Sequence, residues 1–233
     1  YTPNAICAFR HHTFSYKEPE ILEWIDKYGG DGTFYDIGAN IGIYSLYYVM
    51  TKKGKVYSFE PSVFNLRQLA KNVSINKMEK RITIISNPLS NVTGIATFSN
   101  GSSDEGGALS SFGVEYGYDG KTIDSDIKYS VLGFTLDDLL KNALISEFPS
   151  LIKIDVDGIE HLILNGASNI LRSNLCKSIF VEVNDNFKEQ SLNVKKILEK
   201  SGFILKEKRQ SQITEVSKKF GRTYNQIWIK KTL

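Results

Sequence analysis

Acidic residues stand at the predicted ends of two successive strands, with the spacing of a nucleoside-binding site. Asp36 lies within the apolar run Thr33–Ile37, which leads into the turn Gly38-Ala39-Asn40-Ile41-Gly42 and then a predicted helix. Glu60 closes the next apolar run, residues 56–60. An acid about 20 residues beyond a glycine turn of this kind accepts both hydroxyls of a bound ribose. The pair therefore predicts a site for a nucleoside-containing ligand, with an exposed helix-start carboxylate as the alternative for Glu60.

The glycine turn distinguishes between two classes of nucleotide ligand. Gly38 and Gly42 allow close backbone approach, and the following helix N-terminus supplies free N–H groups and the positive end of its dipole. A dinucleotide site requires G-x-G-x-x-G at this point, but Asn40 and Ile43 occupy the second and third glycine positions. A carboxylate at Asp36 would repel a pyrophosphate and attract an ammonium group. Ribose and ammonium together describe S-adenosylmethionine, and a purely structural strand-to-helix turn is the alternative.

Polar residues also interrupt two later apolar strands. Lys153, Asp155 and Asp157 alternate along one predicted strand and its end, and Glu182 and Asn184 alternate along the next. Polar groups inside a sheet covered on both faces are costly unless they are paired, so we expect Lys153 to pair with Glu182 or a nearby acid. Asp155 stands at the carboxyl end of its strand, where doubly wound folds bind their ligands. Asp155, Glu182 and Asn184 would also suit Mg²⁺, so the sequence leaves metal dependence open.

A hydroxyl group that attacks a bound electrophile must lose its proton, which a carboxylate or an imidazole within reach can take. Asp155 is the first candidate for this base, and Glu182 and His161 are further candidates. His161 lies on a predicted helix, where a partly exposed surface position is the alternative. His11 and His12 precede the first predicted amphipathic helix, and they either fold over the site or belong to a tail.

Strands and helices alternate along most of the chain, which predicts a doubly wound α/β fold with a parallel sheet covered on both faces. A length of 233 residues favours a single domain over 1–233 that includes an N-terminal helical segment, 1–30. The stretch 99–133 interrupts the alternation. It is rich in glycine, serine and aspartate and carries aromatic residues, so we expect a substrate lid, with a solvated insertion as the alternative. Strands are predicted over 33–37, 56–60, 82–86, 95–98, 151–155, 178–183, 203–205 and 226–229.

Composition excludes several classes of protein. Hydrophobic residues make up 41% and charged residues 24% of the chain, which excludes a disordered protein. No apolar run reaches the length of about 18 residues that a membrane-spanning helix needs. The net charge of +3 is too small to argue for nucleic acid by itself. Cys7 and Cys176 form neither a metal-binding spacing nor a disulfide framework, so we expect free thiols in a reducing compartment, the cytoplasm.

Four motifs together resemble the FkbM family of S-adenosylmethionine-dependent methyltransferases. The similarity extends over about 34–229, nearly the whole chain. It implies a Rossmann-like class I sheet of seven strands whose last strand is antiparallel. It also implies methylation of a hydroxyl oxygen, often on a sugar of a glycolipid, capsule or other natural product. In chain order, the motifs are Asp36-Ile37-Gly38-Ala39-Asn40-Ile41-Gly42, Phe59-Glu60-Pro61, Thr135-Leu136-Asp137 and Lys153-Ile154-Asp155-Val156-Asp157-Gly158-Ile159-Glu160.

The resemblance assigns cofactor contacts to particular residues of this chain. Ser86 and Asn87 follow the third predicted strand, at the usual position for the edge of the adenine. Asp155 corresponds to the acid beside the methionine end and the acceptor. Asp157 stands where the family usually has glutamate, so its carboxylate reaches one methylene less far. The complete set of cofactor residues implied is Asp36, Gly38, Ala39, Asn40, Gly42, Glu60, Pro61, Ser86, Asn87 and Asp155.

Other functions remain as alternatives to a small-molecule or glycan acceptor. An RNA methyltransferase is suggested by a basic bias near the C-terminus, although no RNA-binding motif accompanies it and DNA is not expected as a partner. A NAD-dependent oxidoreductase is disfavoured by Asn40 in the glycine turn. A catalytically silent cofactor-binding protein is a further alternative. The basic residues are Lys206, Lys208, Arg209, Lys218, Lys219, Arg222, Lys230 and Lys231.

Overall fold

The computed structural model describes residues 1–211 and 221–231. Its main sheet has seven strands. Ten strands are numbered in chain order: β1 Thr33–Ile37, β2 Val56–Phe59, β3 Ile82–Ile85, β4 Gly94–Asn100, β5 Ser111–Phe112, β6 Ile127–Gly133, β7 Pro149–Ile154, β8 Ser178–Asn184, β9 Phe203–Arg209 and β10 Thr223–Lys230. The order in the main sheet is β3-β2-β1-β7-β8-β10-β9. β10 runs antiparallel to both β8 and β9, whereas β1, β2, β3, β7 and β8 pair in parallel. The predicted doubly wound sheet with an antiparallel last strand is therefore confirmed.

Helices cover both faces of this sheet because side chains alternate between the faces along each strand. On β1, Phe34 joins a buried cluster with Trp24 and Tyr48, whereas Tyr35 joins the cluster on the opposite face, with Leu198. The first cluster lies under α2, α3 and α4, and the second lies under α5 to α8. The helices are α1 Ala5–His12, α2 Pro19–Tyr28, α3 Ile43–Thr51, α4 Val63–Ile75, α5 Leu136–Lys141, α6 Glu160–Asn165, α7 Ser168–Arg172 and α8 Lys188–Lys200.

The stretch 99–133 is more ordered than its composition suggests. It contains β5 and β6, which flank β4 in a separate antiparallel sheet of three strands. Phe112 of β5 and Phe98 of β4 are both 3% exposed and pack into the core beside the main sheet. Alternating burial along β6 matches a strand with one covered face. Irregular backbone is thus confined to 101–110 and 113–126 within this stretch.

Composition led to expectations about the two cysteines and about membrane-spanning helices. Cys7 and Cys176 are both buried and unbridged, which confirms the prediction of free thiols. Within residues 1–211 and 221–231, none of the helices has the length and apolar character required to cross a bilayer.

Candidate functional site

The turn between β1 and α3 brings two strand ends into direct backbone contact. Gly38, Asn40 and Gly42 have φ angles of 76°, 52° and 82°, in the left-handed region that glycine and, less readily, asparagine adopt. A Cβ atom on Gly38 would lie 1.9 Å from the carbonyl oxygen of Asp155, so only glycine fits there. The Asp155 N–H in turn donates to the carbonyl of Ile37 at 3.2 Å. The turn after β1 is therefore held in a fixed position against the turn after β7.

The carboxylate of Glu60 is buried at the end of β2 and faces this turn. Its Oε2 accepts the N–H of Asn40 at 2.7 Å, and its Oε1 accepts the N–H of Ser62 at 2.9 Å. Burial raises the pKa of Glu60 to about 7, although these two hydrogen bonds favour the ionised form. Each carboxylate oxygen can accept more than one hydrogen bond. Glu60 thus both fixes the turn and retains capacity for ligand hydroxyls.

A cavity of about 400 Å³ lies beyond the carboxyl ends of β1, β2, β7 and β8. This volume is within the range of about 300–1,000 Å³ that small-molecule sites occupy. Much of the cavity wall is apolar; its apolar lining residues include Ile37, Phe59, Leu89, Phe98, Phe112, Ile159 and Ile163. The residues predicted from sequence that line it are Gly38, Asn40, Glu60, Pro61, Asn87, Asp155 and Glu182.

Four predicted cofactor residues do not line this cavity: Asp36, Ala39, Gly42 and Ser86. Ala39 lines a smaller adjoining cavity of about 30 Å³. Gly42 lines neither cavity, and a Cβ atom there would lie 2.3 Å from Leu69 Cδ1, so this glycine serves the packing of α3 on α4. Ser86 is exposed and also lines neither cavity.

Asp36, a predicted cofactor residue, lines neither cavity. It is fully buried, accepts a hydrogen bond from Ser45 Oγ at 2.6 Å, and its Oδ1 lies 3.3 Å from Lys153 Nζ. Because side chains alternate along β1, Asp36 points toward α3 while Ile37 lines the cavity. Lys153 Nζ also lies 3.4 Å from Asp155 Oδ2 and donates to the carbonyl of Gly38 at 3.2 Å. Lys153 therefore pairs with two nearby acids, and Glu182 is not one of them.

The acids at the ends of β7 and β8 differ in their electrostatic environment. Burial would raise the pKa of Asp155, but the positive charges of Lys153 and Lys17 outweigh it and hold that pKa below its usual value. Burial and the negative charge of Asp155 raise the pKa of Asp157 to about 6. The same two causes raise the pKa of Glu182 well above its ordinary value. Asp155 is therefore ionised at neutral pH, whereas the environments of Asp157 and Glu182 favour protonation more than water does.

Histidines are not brought to the cavity. His161 is 2% exposed and packs against Phe187, with ring centroids 6.1 Å apart. The expectation of a partly exposed His161 is wrong, because α8 packs over α6. His161 lines neither cavity, and His11 and His12 are exposed on α1 and line neither.

The structure does not assemble the magnesium ligands that the sequence suggested. The Asn184 amide donates to the carbonyl of Tyr118 at 3.1 Å and accepts the N–H of Asn186 at 2.9 Å, so it is committed to loop contacts. Over residues 1–211 and 221–231, no group of three or more His, Cys, Asp or Glu side chains is arranged to hold a metal ion.

Sequence reasoning missed three charged residues of the N-terminal segment. Arg10, Lys17 and Glu18 line both cavities. This segment is tied to the loop before β5, because Cys7 Sγ contacts the Glu105 carbonyl at 3.2 Å and Arg10 Nε donates to the carbonyl of Gly106 at 2.7 Å. The contacts connect residues nearly 100 positions apart, so no local pattern could have revealed them.

The basic residues near the C-terminus are largely engaged in contacts of their own. Lys208 lies 2.6 Å from Asp185, and Arg209 lies 2.8 Å from Glu23. Lys230 Nζ donates to the carbonyl of Ser201 at 2.8 Å. Lys218 and Lys219 lie outside the described residues. The described members of the group, Lys206, Lys208, Arg209, Arg222, Lys230 and Lys231, line neither cavity.

Comparison with known proteins identifies the family of this chain and solved structures that share its fold. The family model described as "Methyltransferase FkbM domain" matches residues 36–205. The FkbM methyltransferase of Methylobacillus flagellatus KT superimposes with a TM-score of 0.56 at 15% identity, covering 86% of this chain and 44% of that one. This chain therefore spans less than half the length of that protein. No curated protein sequence matches the chain significantly.

Two further solved structures share the fold over nearly their full lengths. A Streptococcus mutans protein described as a methyltransferase, solved in complex with SAH, gives a TM-score of 0.56 at 11% identity, covering 92% of this chain and 98% of that one. An rRNA methylase of Streptococcus thermophilus gives 0.53 at 12% identity, covering 90% and 93%. At these identities the likeness concerns the fold alone.

Proposed function

The chain belongs to the FkbM family of S-adenosylmethionine-dependent methyltransferases, and from this premise we propose that its acceptor is a hydroxyl oxygen of a sugar in a glycan, glycolipid or natural product. Residues 1–233 act as a single domain in this proposal. The stretch 99–133 lies on the acceptor side, where residues 107–112 line the cavity.

The observation that carries the proposal is the charge of the cavity wall. Apart from Glu60, four acids line it, Glu18, Asp155, Asp157 and Glu182, against only two cations among the described residues. Carboxylates accept hydrogen bonds from hydroxyl groups, whereas they repel phosphates. Nucleic-acid binding draws on Lys and Arg contacts to the phosphate backbone. This wall favours a polyhydroxylated acceptor over RNA.

The residues present fit the methyl donor. The apolar wall suits an adenine ring, Asn87 lies beside it, and Glu60 has capacity for the ribose hydroxyls. Gly38 and Asn40 offer close backbone approach for the methionine end. When bound, the donor supplies a methyl group already activated by its sulfonium. Asp36, which the resemblance assigns to the donor site, lines neither cavity and contributes to this site through its contact with Lys153.

Proton handling falls to the acids at the ends of β7 and β8. Asp155 is ionised and lines the cavity, so its carboxylate can orient the acceptor hydroxyl and take its proton. The raised pKa of Glu182 favours its protonated form, and in that form it can donate a hydrogen bond into the same space. Positioning supplies much of the rate in such a reaction. The contact between the turns after β1 and β7 holds Asp155 in a fixed position relative to the donor site.

The acceptor class can be tested directly by single-turnover transfer from labelled S-adenosylmethionine. We expect label to enter neutral sugar glycosides as a base-stable methyl ether, because carboxylates on the cavity wall accept hydrogen bonds from sugar hydroxyls. RNA is offered in parallel at low and high salt. Label in RNA, with a yield that falls as salt rises, would overturn the sugar assignment and favour the RNA alternative.

Removing the charge of Glu60 should weaken donor binding. Glu60→Gln is expected to cost about 1–3 kcal/mol of S-adenosylhomocysteine affinity, the scale for hydrogen bonds to a charged group. Isothermal titration measures it. In the wild type, affinity should fall as pH drops below the Glu60 pKa of about 7, because protonation removes one acceptor. The variant should lack this pH dependence.

The 2′-deoxy analogue of S-adenosylhomocysteine provides the matched control for Glu60. It lacks one of the two ribose hydroxyls, so Glu60→Gln should weaken its binding less than it weakens binding of the parent ligand. Equal losses for both ligands would mean that Glu60 only shapes the turn through Asn40 and Ser62.

A further inference from the structure

Two cations line the boundary between the larger and smaller cavities, and both come from outside the matched family region. Arg10 and Lys17 precede residue 36, where the match begins. Both residues line both cavities, together with Glu18, Gly38, Asn40 and Asp155. The boundary is therefore formed by the N-terminal segment on one side and by the turns after β1 and β7 on the other.

Arg10 is held in place but retains free donors. Its Nε donates to the carbonyl of Gly106 at 2.7 Å, which fixes the side chain against the loop before β5. Among residues 1–211 and 221–231, its two Nη nitrogens have neither a hydrogen-bond acceptor nor an ion-pair partner. A guanidinium with both Nη groups available binds a carboxylate through two parallel hydrogen bonds. Arg10 thus presents an anion-binding group to the cavity.

Lys17 adds a second positive charge beside it. Its Nζ lies 3.2 Å from Glu18 Oε2, an oxygen that also accepts the hydroxyl of Tyr44 at 2.9 Å. Burial lowers the pKa of Lys17, but the charges of Glu18 and Asp155 outweigh it and raise that pKa. Lys17 therefore remains charged at the cavity wall. Its ion-pair partner Glu18 also accepts a hydrogen bond from Tyr44.

We propose that Arg10 and Lys17 bind the amino-acid carboxylate of S-adenosylmethionine, while Glu18 faces its ammonium group. The inference rests on the proposed donor site. A methionine end carries both charges, and among the described residues that line the two cavities the sheet side offers it one cation. That cation, Lys153, is 1% exposed and is already paired with two acids. The N-terminal segment must therefore supply the charge that the carboxylate needs.

Two ligands that differ in the amino-acid group separate this role from a structural one. S-adenosylhomocysteine carries the carboxylate, and 5′-methylthioadenosine lacks the whole amino-acid end. Lys17→Met and Arg10→Met should each weaken S-adenosylhomocysteine binding about tenfold to a hundredfold, as expected for lost hydrogen bonds to a charged group. Binding of 5′-methylthioadenosine should change by less than about twofold, on the same reasoning. Lys27→Met, on the exposed surface of α2, is the matched control and should affect neither ligand.

Each other outcome is informative in the same titrations. Unchanged S-adenosylhomocysteine affinity in both variants would overturn the inference, and so would equal losses for the two ligands. Arg10→Lys keeps the charge but not the parallel pair of donors. A loss of S-adenosylhomocysteine affinity smaller than that of Arg10→Met supports the carboxylate role. An equal or larger loss of affinity contradicts it. If the wild type bound neither ligand, the donor site itself would be wrong, which is a failure of the proposed function and not of this assignment alone.

Discussion

Replacement of Asp155 by asparagine is expected to slow single-turnover methyl transfer by about 10²–10⁴, the usual cost of losing a general base. The change keeps the shape of the side chain and removes its charge. Asp155 lines the cavity, and Lys153 Nζ, 3.4 Å from its Oδ2, favours its ionised form. Donor affinity, measured by titration of S-adenosylmethionine, should change far less than the rate.

A matched control is available at the end of the neighbouring strand. Asp185 follows β8, pairs with Lys208 at 2.6 Å and lines neither cavity, so Asp185→Asn should leave the rate unchanged. A near-wild-type rate for Asp155→Asn would remove Asp155 from the mechanism and direct attention to Glu182. Lost donor affinity with little change of rate at saturation would instead place Asp155 at the methionine end.

Replacement of Lys153 by methionine should lower the free energy of unfolding by about 3–5 kcal/mol, the cost of leaving buried charges without their partner. Lys153 and Asp36 are 1% and 0% exposed. Burial lowers the pKa of Lys153, but the carboxylates of Asp36 and Asp155 outweigh it and raise that pKa, so the lysine is charged in the fold. Urea unfolding followed by circular dichroism measures the change.

Two companion variants make this result specific. Lys153→Met combined with Asp36→Asn should recover part of the lost stability, because the second change removes one of the stranded charges. Lys55→Met breaks an ion pair of 2.6 Å with Glu147, but Lys55 lies on the surface, so little change is expected. The buried network would not have the energetic role assigned to it in either of two cases. In the first, the Lys153 and Lys55 variants lose similar amounts of unfolding free energy. In the second, the double variant is less stable than Lys153→Met.

The main sheet could be predicted because its strands are short apolar runs separated by helices. β1 was predicted over the residues that form it, and β2 ends one residue earlier than predicted, because the Glu60 side chain turns to accept the N–H groups of Asn40 and Ser62. β6 was not predicted. Its sequence is polar on alternate positions, and its pairing with β4 depends on a contact between segments about 30 residues apart, which no local pattern specifies.

The site could be predicted only where it is built from strand ends. Asn40, Glu60 and Asp155 were identified because parallel strands end at one edge of the sheet. The burial of Asp36 could not be predicted, because its position next to the turn does not reveal that Lys153 pairs with it. Arg10 could not be found, because its place in the cavity depends on α1 docking against a loop distant in the chain.

The family match covers residues 36–205. This range does not include every strand of the main sheet. β10 lies beyond this range, yet it separates β8 from β9 and bonds to both. At the other end, Trp24 packs on Phe34 and Phe180 and donates its indole N–H to Ser178 Oγ at 2.9 Å. A chain cut to the matched range would bare an apolar sheet face and leave strand edges open to aggregation. The stretch that the family model matches is thus shorter than the stretch that builds the main sheet.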